Sequence, residues 1–108
     1  MRSIKQLLWW IIAGSEGGLN RARIIRSLRD QPSNANQLAE SLGLDYKTIR
    51  HHIDVLEKNN LINTIGPKYG KMYFIAPLLE DDYAVFEEIW EKIGKNKVNK
   101  DEDRSVNS

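Results

Sequence analysis

The run from Asn34 to Asn59, NANQLAESLGLDYKTIRHHIDVLEKN, decides the fold. Asn34 is a good helix N-cap, and Gln37 stands at the third helical position, where a reciprocal capping partner belongs. Leu38, Ala39 and Leu42 supply the inner face of a short helix that Gly43 stops. Asp45 then caps a second helix over about residues 46–59, with Ile49, Ile53 and Leu56 turned to the core and Asn59-Asn60 closing it. Two short helices joined through Gly43-Leu44, the second polar on its outer side, form a helix-turn-helix pattern.

Downstream, the period changes. Leu61–Ile65 (LINTI) and Met72–Ile75 (MYFI) are β-favourable runs on either side of Gly66-Pro67-Lys68-Tyr69-Gly70-Lys71, which reads as a hairpin with its loop at 66–71. After Pro77, the positions Leu79, Tyr83, Phe86, Ile89, Trp90 and Ile93 recur at helical spacing, predicting one continuous last helix.

Upstream, Ile4, Leu7, Leu8, Ile11 and Ile12 mark one face of a helix over about residues 3–13, with Trp9 and Trp10 off that stripe. Gly14, Gly17 and Gly18 break it, and Asn20 is the expected cap of a helix that buries Ile24, Ile25 and Leu28. Arg21, Arg23, Arg26 and Arg29 fall on its other faces, and Pro32-Ser33 end it. The order helix, helix, helix, helix, hairpin, helix is that of a mainly α winged helix-turn-helix. Residues 1–94 form the expected domain, and 95–108, polar and free of aromatics, form an expected disordered tail. No internal repeat is visible.

Composition narrows the function. With 108 residues there is room for one domain and one small core, so association with a second copy is a natural supplement. No cysteine is present, which removes disulfides, thiolate metal sites and cysteine nucleophiles, and fits a reducing compartment. The apolar run Leu7–Ala13 (LLWWIIA) follows Arg2 and Lys5 as a signal peptide would. It lacks a convincing cleavage site and is far shorter than the ~20 residues of a membrane span, so the chain reads as cytoplasmic. The net charge of +1 hides an asymmetry. Residues 1–79 carry 11 Lys or Arg against 6 Asp or Glu, and residues 80–108 carry 5 against 9. A basic body with an acidic C-terminal segment suits a nucleic-acid binder whose last helix faces away from phosphate.

The major groove of DNA accepts one α-helix, which must offer donors and acceptors near its N-terminus. Helix 45–59 offers Tyr46, Lys47, Thr48, Arg50 and His51 there. Arg50 is the best match to guanine, because its fork fits two acceptors on that base, whereas Lys47 and Thr48 suit phosphate. Asn34 and Asn36, opening the preceding helix, join the candidate DNA contacts. Lys68, Tyr69 and Lys71 in the hairpin loop would act as a wing on backbone or minor groove. His52 lies on the Ile49–Ile53–Leu56 side and reads as a partly buried structural histidine. The excess of apolar residues on the terminal helices, namely Leu7, Trp9, Trp10, Phe86, Trp90 and Ile93, predicts a dimer interface.

This stretch resembles the winged helix-turn-helix of archaeal and bacterial regulators of the ArsR type. The residues that carry the likeness are Gln37-Leu38-Ala39, Leu42-Gly43-Leu44, Thr48-Ile49, His52-Ile53, Val55-Leu56-Glu57 and Leu61-Ile62, within about residues 20–76. The form Tyr46-Lys47-Thr48-Ile49-Arg50-His51-His52 is similar to archaeal members. The resemblance implies a homodimeric transcription regulator whose terminal helices pack together and whose recognition helix and wing meet double-stranded DNA. Metal-sensing members use cysteines or His and carboxylate clusters. Here His51 and His52 point about 100° apart on their helix and cannot converge on one ion, so no metal or other cofactor is expected.

Three other readings compete. An enzyme would need a glycine-rich phosphate loop, a nucleophile elbow or a metal triad, none of which is present, and Glu87, Glu88 and Glu91 read as a solvated face. A winged-helix adaptor that binds protein would suit the acidic last helix and the Trp pair, but would not need Lys47, Arg50 and His51 on the outer face. RNA binding lacks a platform of sheet aromatics.

Overall fold

The computed structural model describes residues 3–94. The expected tail at 95–108 lies outside the described residues. A first helix, α1 (Ile4–Leu8), is capped by Ser3 in a reciprocal box with Gln6. The chain then widens into a π-helical turn, Trp9–Ala13, closed by a 2.7 Å bond from the Gly14 amide to the Trp9 carbonyl. The single helix expected over 3–13 is therefore α and π in succession. Its inner face is as the periodicity requires, with Leu8, Ile11 and Ile12 buried.

Helix α2 (Gly18–Asp30) starts earlier than expected. Its N-cap is Gly17 in the left-handed region at φ 83°, not Asn20, whose side chain instead accepts from Arg23 at 3.1 Å inside the helix. A tight turn selected the cap here, because the chain must reverse within four residues of the π turn and only glycine takes that φ cheaply. Helix α3 (Ala35–Leu42) carries the expected Asn34–Gln37 box, with both bonds at 2.8 Å, and ends at Gly43 with φ 66°. Helix α4 (Tyr46–Lys58) is capped by Asp45, whose carboxylate accepts from the Thr48 amide at 3.0 Å.

Strands β1 (Ile62–Ile65) and β2 (Met72–Ile75) pair antiparallel, with Ile62 opposite Ile75 and Thr64 opposite Tyr73. These four residues share the inner face of the hairpin. Ser33 adds a bridge on the other side of β2, exchanging backbone bonds of 2.8 and 3.1 Å with Tyr73. The last segment is broken. Helix α5 (Pro77–Asp81) stops at Asp82, and a further helix, α6, spans residues 83–94 of the described chain. The continuous helix expected from Leu79 to Ile93 does not form, although Leu79, Phe86 and Ile89 are all buried.

One apolar core runs through every layer: Leu8 and Ile12 from the N-terminus, Ile24, Ile25 and Leu28 from α2, and Leu38 from α3. Ile49, Ile53 and Leu56 add the inner face of α4, Ile62, Tyr73 and Ile75 that of the hairpin, and Phe86 and Ile89 that of α6. No helix among the described residues is long and apolar enough to cross a membrane.

Candidate nucleic-acid interface

The corners of the helix-turn-helix have their backbone groups satisfied. Gly43 turns the chain, the Leu44 amide returns to the Ala39 carbonyl at 3.0 Å, and Asp45 caps the next helix at once. Two hydrogen bonds from Thr48, amide and hydroxyl, hold the Asp45 carboxyl below the usual carboxylate range. The hydroxyl bond, 2.7 Å, also commits the Thr48 side chain to the cap and away from the groove. The structure therefore keeps Thr48 at the helix start in a positioning role.

Around α4 the buried stripe is Ile49, His52, Ile53 and Leu56. At about 100° per residue, Lys47 and His51 project opposite that stripe, and both are exposed. Tyr46, half exposed, and Arg50 lie on the flank nearest the hairpin. There Arg50 meets protein groups. Its Nη1 donates to the Tyr73 hydroxyl at 2.6 Å and its Nη2 lies 3.3 Å from the Asp54 carboxylate. The bond to Tyr73, more than any other influence, raises the Arg50 pKa above its ordinary value and keeps the cation fixed.

Arg50 lines a cleft with Asn34, Asn36 and Tyr46 on one side and Lys68, Tyr69 and Lys71 of the hairpin loop on the other. Seven expected DNA-contacting residues thus converge on one concavity, with Lys47 and His51 on the adjoining ridge. Thr48 is the one expected contact that the cap draws aside. Sequence reading missed Tyr73. Its inward position in β2 marks it as core, and nothing in the sequence shows that its hydroxyl reaches Arg50, 23 residues away.

The four arginines of α2 are engaged elsewhere. Arg21, expected on an outer face, is buried: Nε donates to the Ile11 carbonyl at 2.9 Å, Nη1 lies 3.2 Å from His52 Nδ1, and Nη2 bonds the Ser15 hydroxyl. Arg23 donates to the Leu42 carbonyl at 2.7 Å, closing the C-terminal end of α3. Arg26 stacks over Trp90 at 4.5 Å. Arg29 stacks over Tyr83 at 4.1 Å and pairs with Glu80 at 3.0 Å. Together they tie α2 to the π turn and α4, to α3, and to the C-terminal helices, so this part of the basic asymmetry knits the fold together.

On the terminal helices Trp10 is 65% exposed and Trp9 36%. With Gln6, Ala13 and Gly14 they line a mainly apolar surface hollow. Leu7, Trp90 and Ile93 are partly buried against the core. Phe86 does not belong with them. It is 0% exposed, packed at 5.1 Å on Tyr83, and the monomer core consumes it. Among the described residues no three His, Asp or Glu side chains stand close enough together to hold a metal ion.

A helix-turn-helix followed by an antiparallel hairpin beside its second helix is a winged helix-turn-helix. Residues 20–64 match the family described as bacterial regulatory protein, arsR family. Among solved structures the chain is similar to reduced HlyU from Vibrio cholerae N16961, at TM-score 0.61 and 20% identity over 80% of this chain and 85% of that one. It is similar to an ArsR-like transcriptional regulator from Rhodococcus sp. RHA1, at TM-score 0.58 and 14% identity over 97% and 94%. A third likeness is to an S. aureus MepR mutant bound to an oligodeoxyribonucleotide, at TM-score 0.58 and 14% identity over 96% and 83%. At these identities the likeness is one of fold. No curated protein matches the sequence.

Proposed function

We propose that this chain is a DNA-binding transcription regulator, acting as a homodimer on double-stranded DNA. The observation that carries the proposal is the convergence of Tyr46, Arg50, Lys68, Tyr69 and Lys71 on one cleft beside the exposed ridge of Lys47 and His51. The arsR-type match over residues 20–64 and the winged-helix likenesses support the regulator class. In this reading α4 enters the major groove, where Lys47 and His51 face base edges and phosphates. The hairpin loop lies along the backbone or the minor groove, its two lysines neutralising phosphates. Asn34 and Asn36 flank the same strand from the start of α3.

Dimerisation brings two such helices to bear about one DNA turn apart. The exposed Trp9 and Trp10, with the partly buried Leu7, Trp90 and Ile93, supply the apolar surface for it.

A fluorescence-anisotropy titration against labelled duplex at several salt concentrations tests the proposal. Lys47, Arg50, Lys68 and Lys71 are four cations per protomer, so log affinity should fall against log salt with a slope of roughly −4 per protomer. Absent or salt-insensitive binding would overturn the DNA reading in favour of a protein-binding adaptor. Selection from a random duplex pool would then give the preferred site.

A further inference from the structure

Guanine readout by arginine needs two parallel N–H groups aimed outward at the base edge. Arg50 is not so disposed. Both ends of its fork finish on protein, Nη1 on Tyr73 and Nη2 on Asp54, and it stands on the hairpin flank of α4. Its anchor is stiff. Tyr73 is 2% exposed, and its backbone N–H and C=O are both bonded to Ser33. A buried tyrosine hydroxyl that accepts from a cation fixes that cation without neutralising it. Asp54 neutralises it only in part, from an exposed position across a 3.3 Å pair. Arg50 lines the same cleft as Lys68 and Lys71 of the hairpin loop. Such a site, cationic and pre-set at the mouth between helix and wing, suits one phosphate oxygen.

We propose that Arg50 is a phosphate clamp on the DNA backbone, that Tyr73 is the positioning residue that sets it, and that sequence reading falls to Lys47 and His51. This rests on the DNA-binding reading above. It makes the hairpin more than a flexible appendage, because the strand holds a helix side chain in its working pose. The same lock fixes the wing against the recognition helix, so backbone contact and groove insertion share one geometry.

The test uses the full chain and two duplexes, the one recovered by selection and a scrambled version. Arg50→Ala should weaken both by a similar factor, about tenfold, and reduce the salt slope by about 0.9. Tyr73→Phe removes one oxygen and no charge. It should weaken both duplexes by about two- to tenfold with the salt slope kept, a combination that loss of folding would not give. His51→Ala should instead narrow the gap between the two duplexes. A scan of single methylphosphonate substitutions should find one phosphate whose neutralisation weakens the wild-type chain but not Arg50→Ala.

If Arg50→Ala abolishes discrimination between the duplexes, or if no such phosphate exists, Arg50 is not a clamp. If Tyr73→Phe binds as the wild type does, Tyr73 does not position it. Failure of the wild-type chain to bind either duplex would remove the DNA reading itself, a result distinct from all of these.

Discussion

Arg21 Nη1 lies 3.2 Å from His52 Nδ1, joining α2 to the inner face of α4 through two buried side chains with no carboxylate in the bond. Arginine can only donate, so Nδ1 must accept, and the imidazole is neutral with its proton on Nε2. Burial, then the Arg21 charge, then the neighbouring His51 all push the His52 pKa below its ordinary value. Burial likewise lowers that of Arg21.

The pH dependence follows from that sign. The unfolded chain takes up a proton on His52 from about pH 6.5 downward, whereas the folded chain resists it to lower pH. In that window the unfolded state binds more protons, so stability is full above pH 6.5 and declines on acidification. Urea unfolding at pH 7.5 and pH 5.5 should show the decline, and His52→Gln, which keeps an acceptor but does not titrate, should reduce it. An equal decline in the variant would assign the pH dependence to other groups.

Arg21 should matter beyond its charge. It donates to the Ile11 carbonyl within the π turn, to the Ser15 hydroxyl and to the Glu16 carbonyl as well as meeting His52. Arg21→Met would fill the space but leave several of these acceptors without a donor, at a cost of about 2–4 kcal/mol. Arg21→Lys keeps the charge without the planar fork and should recover less than half of that loss. Denaturant midpoints of the two variants check both figures, and a fully stable Arg21→Lys would show that charge alone suffices.

Gly18 gives a steric prediction. A Cβ there would sit 1.7 Å from the Ile12 carbonyl oxygen, a backbone atom that cannot swing aside. Gly18→Ala should destabilise at or above the upper end of the ~1–3 kcal/mol range for overpacked sites. Gly94→Ala, helical and with open space around it, should be neutral or mildly stabilising. Thermal unfolding of the pair separates the close approach from the general cost of replacing glycine.

These contacts also mark where sequence reading succeeds and where it stops. The Asn34–Gln37 box, the Gly43 stop, the Asp45 cap and the hairpin are local devices written within a few residues, and all form as read. The cap of α2 falls at Gly17 rather than Asn20 because the chain turns there at φ 83° and the next residue, Gly18, lies against the Ile12 carbonyl, a contact that Asn20 does not report. The α2 arginines looked like surface charge because amphipathic patterning cannot distinguish a solvated guanidinium from one covering Trp90 or capping Leu42. Arg50 posed the same problem at the site. Its spacing places it on the outer side of α4, but its partner Tyr73 arrives from a strand 23 residues on. Long-range polar pairing leaves no periodic trace.

The terminal surface yields the last prediction. Trp10 is the most exposed tryptophan, and together with Trp9, Gln6, Ala13 and Gly14 it presents an almost wholly apolar patch. A large aromatic surface left in water is costly, and a two-fold contact that covers it from both protomers would gain twice from each residue buried. Trp10→Glu would put a carboxylate at the centre of that contact and repel its symmetry mate, while leaving the core residues Leu8, Ile11 and Ile12 untouched. Sedimentation should show a dimer for the wild type and a monomer for Trp10→Glu, with the helical content of the two alike. Because each monomer would then engage one half-site, DNA affinity should fall by at least about a hundredfold, through loss of the second binding event rather than of any DNA contact. A variant that stays dimeric would move the interface away from the Trp pair. One that becomes monomeric yet binds DNA undiminished would mean that a single recognition helix and wing suffice.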